Sequence, residues 1–284
     1  VAEQVTADPA AGRDTTVWRT RLGVLGWPVA HSRSPAMQNA ALRAAGLDSW
    51  RYQLLPVPPE LFAETVRALP AAGFRGVNVT IPHKRSALAL SRQPTARAHA
   101  IGAANTLVFG ADGMTAADNT DAPALIAALP FDVSGRTALV LGAGGSARAA
   151  VWALLDAGAA EVRVYNRTLA RARALCEQLG GTPVEGVDGA DLLVQCTPIG
   201  LPGAVAGAQQ LPLDAALIER FGFVVDFVYR EGATALVNAA RARGIGAIDG
   251  LELLVGQGAL SFEQFTGGPA DVAAMRAAVG LPSL

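Results

Sequence analysis

The sequence predicts an α/β fold made of two α/β domains, one of them Rossmann-like. Three observations predict it. Residues 137–141 are a short apolar β-type run that feeds the glycine cluster Gly142-Ala143-Gly144-Gly145-Ser146-Ala147, and the cluster opens into an Ala/Leu-rich helix ending near Gly158. Upstream, strand-like and helix-like segments alternate between residues 21 and 81, enough for a small βαβ unit of their own. The chain has 284 residues, which suits two domains of ordinary size.

Composition agrees and excludes several classes. The hydrophobic fraction is 51% and the charged fraction 17%, enough apolar material for parallel strands buried on both faces. A formal net charge of −1 gives no reason to expect a nucleic-acid or membrane partner. No apolar run approaches the ~20 residues a membrane helix needs. Residues 1–19 lack the basic-then-apolar plan of a signal peptide and read as a flexible tail, so a cytoplasmic protein is expected. Cys176 and Cys196 have no metal-ligand spacing and read as buried, reduced packing residues; no metal site is expected.

In chain order, residues 21–27 read as a first strand that runs into Pro28-Val29-Ala30-His31-Ser32-Arg33-Ser34-Pro35. Ser34 before Pro35 reads as an N-cap with proline at the first helical position, and the helix stops near Gly46. Ser32 and Ser34 allow two readings. They form a hydroxyl cradle for a carboxylate, or one caps the helix while the other closes the turn. A strand at 52–57 and a helix at 59–69 follow. Then comes a strand ending in Asn78-Val79-Thr80-Ile81-Pro82-His83-Lys84, with Lys84 at the mouth of a proline-started turn. Strand 107–109 leads into a hairpin turn from Gly110 to Gly113, and Asp118-Asn119-Thr120-Asp121 caps another helix.

The glycine cluster reads as a dinucleotide turn. Gly142 permits the tight bend, Gly144 lets backbone approach a pyrophosphate, and Ala147 is small enough for the helix to lie on the strand. The N–H groups of the new helix then face the phosphates. The next strand, 161–165, ends not in the carboxylate of an NAD site but in Asn166-Arg167-Thr168, with Arg171 a turn beyond. A guanidinium binds a ribose 2′-phosphate that a carboxylate would repel, so the expected cofactor is NADP. The bland alternative puts both arginines on a solvated helix face, and for Arg171 it competes closely. Strands at 192–196, 223–227 and 245–248 then alternate with helical segments.

Taken in order, these motifs resemble the shikimate dehydrogenase family from Leu22 to about Gly280. The matching stretches are Gly26-Trp27-Pro28, His31 to Pro35, Asn78 to Lys84, Gly102 to Thr106, Asn119-Thr120-Asp121, the glycine turn and Asn166-Arg167-Thr168. Later ones are Cys196-Thr197-Pro198-Ile199-Gly200, Asp226-Phe227-Val228-Tyr229, and Asp249-Gly250-Leu251 leading to Gln257. Gln38, Gln195 and Leu201 depart from residues common in the family and bear only on packing.

The resemblance implies a substrate-binding domain at 20–120, an NADP-binding Rossmann-like domain at 121–249, and C-terminal helices from 250 to 284 that return to the first domain. It implies reversible, NADPH-dependent reduction of 3-dehydroshikimate to shikimate, in aromatic amino-acid biosynthesis. Lys84 and Asp121 are then the catalytic pair. Which of the two carries the proton stays open, with Lys84 favoured as shuttle and Asp121 as orienter. Ser32, Ser34 and Tyr229 would hold the substrate carboxylate, and Thr80, Asn105 and Gln257 its hydroxyls. Thr197, Pro198, Phe227 and Gly250 would join the cofactor residues named above. His31, His83 and His99 read as structural. The expected partner is a small molecule, with the protein a monomer or homodimer. Alternatives are a quinate/shikimate dehydrogenase and a non-catalytic NADP-binding regulator. The Lys84 and Asp121 pair argues against the regulator.

Overall fold

The computed structural model describes residues 19–201 and 211–282. The expected tail, apart from Arg19, lies outside the described residues. In the first half run β1 (Thr20–Gly26), α1 (Ser34–Ala44), β2 (Trp50–Pro56), α2 (Phe62–Ala68), β3 (Phe74–Val79), α3 (Lys84–Leu90), β4 (Gln93–Pro94), α4 (Ala96–Ile101), β5 (Thr106–Phe109), β6 (Thr115–Asp118) and α5 (Asp121–Ala128). The second half holds β7 (Thr137–Leu141), α6 (Gly145–Asp156), β8 (Glu161–Tyr165), α7 (Leu169–Leu179), β9 (Thr182–Val184), β10 (Ala190–Gln195), α8 (Ala215–Ile218), β11 (Phe221–Asp226), α9 (Ala235–Arg241) and β12 (Gly246–Ile248). Two helices close the chain, α10 (Gly250–Thr266) and α11 (Val272–Ala278).

The strands form two separate sheets. The first has the order β2-β1-β3-β5-β6-β4, with β1 parallel to β2 and β3, and β5 antiparallel to both β3 and β6. The hairpin between β5 and β6 is the one expected at Gly110 to Gly113; the Gly110 N–H donates to the Met114 carbonyl at 2.9 Å. The second sheet has the order β12-β11-β10-β7-β8-β9 and is parallel at every pairing. Numbered from β7, that is the doubly wound order 3-2-1-4-5-6. Strand order therefore reverses between β7 and β10, and a crevice opens beyond their carboxyl ends.

Period-two alternation accounts for the burial. In β7, Ala138 and Val140 enter one core with Val162, Val164 and Val194, while Leu139 and Leu141 enter the opposite core with Leu193 and Val224. Both leucines are fully buried, and each such side chain contributes about 1.5–3 kcal/mol of transfer free energy. The C-terminal helices pack on the first sheet, where Leu251, Val255, Phe262 and Phe265 of α10 share a core with Leu22, Val24, Met37 and Tyr52.

Two local expectations need correction. Ser34 is not the N-cap of α1. Arg33 occupies that position, no side-chain cap bond forms, and the Ser34 hydroxyl accepts from the Ser32 hydroxyl at 3.2 Å. The helix expected at 59–69 begins as a 3₁₀ turn (Pro59–Leu61), and the α-helix starts only at Phe62. Two short edge strands, β4 and β9, were not expected; at two and three residues they are too short for a period to show.

Candidate active site

Between the two sheets lies a cavity of about 870 Å³. Its wall includes all eight residues expected to bind or transform the substrate: Ser32, Ser34, Thr80, Lys84, Asn105, Asp121, Tyr229 and Gln257. They come from separate places in the chain, and topology explains the convergence. β1 and β3 are parallel neighbours, so the segments leaving their carboxyl ends, 27–34 and 80–84, emerge side by side; the Trp27 N–H donates to the Ile81 carbonyl at 2.9 Å. Asn105 immediately precedes β5, which pairs with β3, and Asp121 opens α5.

At the floor of the cavity, the Lys84 ammonium donates to Asp121 Oδ2 at 2.7 Å and to Ser146 Oγ at 2.9 Å. Lys84 is 9% exposed and Asp121 7%. The other carboxylate oxygen, Oδ1, accepts from Asn105 Nδ2 at 2.9 Å, and the Asp121 N–H donates to Asn119 Oδ1 at 3.1 Å. Asn119 Oδ1 also accepts the Ala122 N–H at 3.2 Å, so within the expected Asp118 to Asp121 stretch Thr120 occupies the N-cap position of α5 while Asn119 satisfies its first two N–H groups. A buried carboxylate with an ammonium on one oxygen and an amide on the other is held in one orientation. Asn105 is a hub: its Nδ2 also lies 3.3 Å from Gln257 Oε1, while its Oδ1 accepts the Thr120 N–H at 2.8 Å and the Thr120 hydroxyl at 3.2 Å.

The opposite wall is hydroxyl-rich. The Ser32–Ser34 pair faces the cavity, and the Tyr229 hydroxyl accepts the Arg33 N–H at 3.3 Å, which brings the 226–229 stretch against the serine segment. Behind them the Tyr52 hydroxyl donates to Asn78 Oδ1 at 2.8 Å, and burial pushes that phenol well above its usual pKa.

The three histidines have different settings. His83 is buried, bonds the Val57 carbonyl through Nε2 at 2.7 Å and stacks on Phe62; burial lowers its pKa despite that bond. His31 lines the cavity, and His99 is exposed on α4. Cys176 and Cys196 are free thiols, and burial pushes the Cys196 thiol well up. No cluster of three metal-ligating side chains occurs among the described residues, nor is any described helix long and apolar enough to cross a membrane.

The expected cofactor residues divide into two groups. Ser146, Thr197, Pro198, Phe227 and Gly250 line the cavity. Gly142, Ala143 and Gly144 form the turn between β7 and α6, Gly145 and Ala147 lie in the first turn of α6, and Asn166, Arg167 and Thr168 at the end of β8, with Arg171 in the first turn of α7, lie outside the cavity. The turn touches that strand end, since the Gly142 N–H donates to the Tyr165 carbonyl at 2.8 Å. Gly142 has φ +111°, where L side chains are strained, and a Cβ there would press on Cys196 and Thr197 at 3.3 Å. Gly144 has open space where its Cβ would be, and Ala147 is fully buried against the strands. Arg167 and Arg171 are exposed, and neither has a carboxylate partner among the described residues. An open glycine turn at a helix N-terminus with free guanidinium groups one strand away fits a dinucleotide carrying a 2′-phosphate.

Sequence reasoning missed the supports of this half. Gln195 lies at the end of β10; its Nε2 donates to the Thr197 and Ile199 carbonyls at 3.1 and 3.2 Å, and its Oε1 accepts the Thr197 N–H at 2.5 Å. One side chain thus folds the 197–199 loop over the crevice. Beside it Asp226, 1% exposed, accepts from the Thr234 hydroxyl at 2.7 Å and the Val228 N–H at 2.9 Å. Burial pushes its carboxyl up to about 6 against those bonds. Arg148, one turn into α6, donates from Nε to the Ile101 carbonyl at 2.6 Å and so caps the C-terminus of α4 from the other half of the molecule. The sequence offers only an arginine beside a glycine motif; its burial and its partner are decided by the fold, because no local rule connects residues 101 and 148.

Fold and cleft together point to a dinucleotide-dependent oxidoreductase, with a glycine turn of the dinucleotide type on one sheet and the Lys84–Asp121 ion pair beside the other. Comparison narrows the class. Family models described as "Shikimate dehydrogenase substrate binding domain", "Shikimate / quinate 5-dehydrogenase" and "Shikimate 5'-dehydrogenase C-terminal domain" match residues 24–107, 125–196 and 250–279. A shikimate dehydrogenase (NADP(+)) of Methylobacterium radiotolerans is 44% identical over 265 residues, covering 87% of this chain and 91% of the relative. Its counterpart from Anaeromyxobacter dehalogenans is 45% identical over 277 residues, covering 92% and 96%. The solved shikimate 5-dehydrogenase of Thermus thermophilus, in complex with NADP(H) and shikimate, matches with a TM-score of 0.81 and 41% identity, covering 92% of this chain and 98% of that one. This chain belongs to the shikimate dehydrogenase family.

Proposed function

We propose that the chain catalyses the reversible reduction of the C3 carbonyl of 3-dehydroshikimate to the shikimate hydroxyl, with NADPH, as a step of aromatic amino-acid biosynthesis in the cytoplasm. The observation that carries the reading is the Lys84–Asp121 pair, 2.7 Å apart in the wall of a cavity lined largely by hydroxyl, amide and apolar groups, with His31 and Cys196 also on its wall.

NADPH, when bound at the glycine turn, supplies the hydride. Hydride arrival at the carbonyl carbon places alkoxide charge on the oxygen, and a proton must meet it. Lys84 has three N–H donors, two of them held by Asp121 and Ser146, and the third is available to that oxygen. Lys84 donates the proton in reduction and takes it back in oxidation. Asp121 holds the ammonium in place and offsets its charge, and Asn105 fixes Asp121. Ser32, Ser34 and Tyr229 take the carboxylate end of the substrate. Thr80 and Gln257 take its hydroxyls, with Asn105 at the junction. A site that pairs each hydroxyl discriminates strongly against analogues lacking one, because its own buried polar groups are then left unpaired. At the far end, Arg167, with Asn166, Thr168 and Arg171 beside it, takes the 2′-phosphate. Thr197, Pro198, Phe227 and Gly250 border the path from there to the reacting carbon.

Initial rates with shikimate and with quinate, each with NADP and with NAD, test the reading. The expected result is the largest kcat/KM for shikimate with NADP. Comparable or greater kcat/KM with quinate assigns the chain to the quinate-type branch. NADP binding without turnover of either substrate makes it a regulator.

A further inference from the structure

The Lys84 ammonium has two acceptors, and they belong to different halves of the molecule. Asp121 Oδ2 opens α5, whose N-terminus is tied to the first sheet through Asn105. Ser146 Oγ lies in the first turn of α6, two residues beyond Gly144. The rest of the lysine is held as closely. Its carbonyl accepts the Ala104 N–H at 2.9 Å, and its stem lies on Gly145, where a Cβ would come within 2.8 Å of Lys84 Cβ and 2.9 Å of Lys84 Cδ. Gly145 therefore answers to the lysine as well as to the turn.

Electrostatics alone would not draw an ammonium to this spot. The N-terminus of α6 carries partial positive charge and disfavours a cation. A specific acceptor is needed, and the Ser146 hydroxyl is free to be one, since α6 has no side-chain cap bond at its N-terminus. With Asp121 alone, a four-carbon stem would let the ammonium swing about a single oxygen. A second acceptor on the opposite wall fixes the head and leaves one N–H free for the cavity.

We propose that Ser146 is a positioning residue for Lys84, its hydroxyl fastening the proton-transferring ammonium to the turn that receives the cofactor phosphates. The inference rests on Lys84 as the proton shuttle, as argued above. It makes the glycine turn part of the proton-transfer apparatus as well as a phosphate cradle.

The test uses the full chain as wild type, Ser146→Ala and Ser146→Thr. Acylation of Lys84 by acetic anhydride without cofactor, timed by peptide mass spectrometry, reads how firmly the ammonium is held. NADPH fluorescence titration reads cofactor affinity, and steady-state rates separate kcat from KM. For Ser146→Ala we expect Lys84 acylation about tenfold faster and kcat about tenfold lower, equivalent to about 1.4 kcal/mol. NADPH affinity and both KM values should stay within about twofold, and Ser146→Thr should restore acylation rate and kcat. Unchanged acylation with weakened NADPH binding would mean that Ser146 serves the cofactor alone and would overturn the proposal. An impaired alanine variant that threonine does not rescue overturns it too, because the hydroxyl is then not the cause. A wild type inactive on shikimate sinks the substrate reading, while the acylation arm still decides whether Ser146 holds Lys84.

Discussion

The two ends of the cleft are built by opposite means. At the substrate end, side chains do the work: Lys84, Asp121, Asn105 and Ser34 are buried, and each has its recorded partner on another segment or across a tight turn. At the glycine-turn end, Gly142 to Gly144 present backbone, and Arg167 and Arg171, proposed above to take the 2′-phosphate, stand exposed without ion-pair partners among the described residues. Chemistry explains the difference. A proton-transfer pair must be oriented before the substrate arrives, and orientation needs burial and a full set of hydrogen bonds. A pyrophosphate needs only N–H groups and room, which a glycine turn at a helix N-terminus supplies. Loss at the first end should therefore appear in kcat, and loss at the second in KM.

The strongest way to break this contrast is at Lys84. Replacing it with alanine should lower kcat by about 10²–10⁴, the range for a general acid–base group, with NADP affinity changed little. Turnover close to wild type would remove Lys84 from the chemistry. Asp121→Asn keeps the shape but loses the charge that holds the ammonium, and should cost about 10²-fold or more in kcat while the protein keeps its fold by circular dichroism. If only KM for shikimate moved, Asp121 would be a binding group.

Next comes the exposed end. A hydrogen bond to a charged group contributes about 1.5–3 kcal/mol, or roughly ten- to a hundredfold in affinity. Arg167→Ala should raise KM for NADP by about that factor, leave kcat nearly unchanged and leave NAD kinetics unaffected. Added salt should weaken NADP binding more than NAD binding in the wild type, because the group is exposed. Equal losses with both cofactors would mean that Arg167 does not read the 2′-phosphate.

The smallest effect concerns the joint between the ends, where Asp226 and Gln195 brace the 197–199 and 227–229 segments. With its carboxyl pushed up to about 6, the folded protein keeps a proton there that the unfolded chain releases near pH 4. The folded state then binds more protons, so this group makes stability fall as pH rises from about 4 to about 6. Asp226→Asn should flatten the dependence of Tm on pH within that window. An unaltered slope would show that Asp226 titrates as an ordinary carboxylate.

The strand–glycine-turn–helix unit was legible in the sequence because its parts are local. Gly142, Gly144 and Ala147 lie within six residues, between an apolar strand and a helix, and backbone geometry makes each demand on its own position. The alternation of strands and helices carried the α/β class for the same reason, since side-chain periods of two and 3.6 are properties of single segments. The substrate end was legible only as a roster of motifs. The sequence, through its family resemblance, nominated Ser32, Thr80, Lys84, Asn105, Asp121, Tyr229 and Gln257; their meeting in one cavity was decided by the pairing of β1, β3 and β5 and by the docking of α10 on the first sheet. Ser34 shows where local reasoning failed. Its place before Pro35 pointed to a helix cap, yet its hydroxyl is engaged by Ser32 at the cavity wall. The Lys84–Ser146 bond and the Arg148 clamp on Ile101 leave no trace in any local pattern. They join residues 62 and 47 positions apart on different halves of the molecule, and such contacts exist only once two sheets have folded and closed on each other.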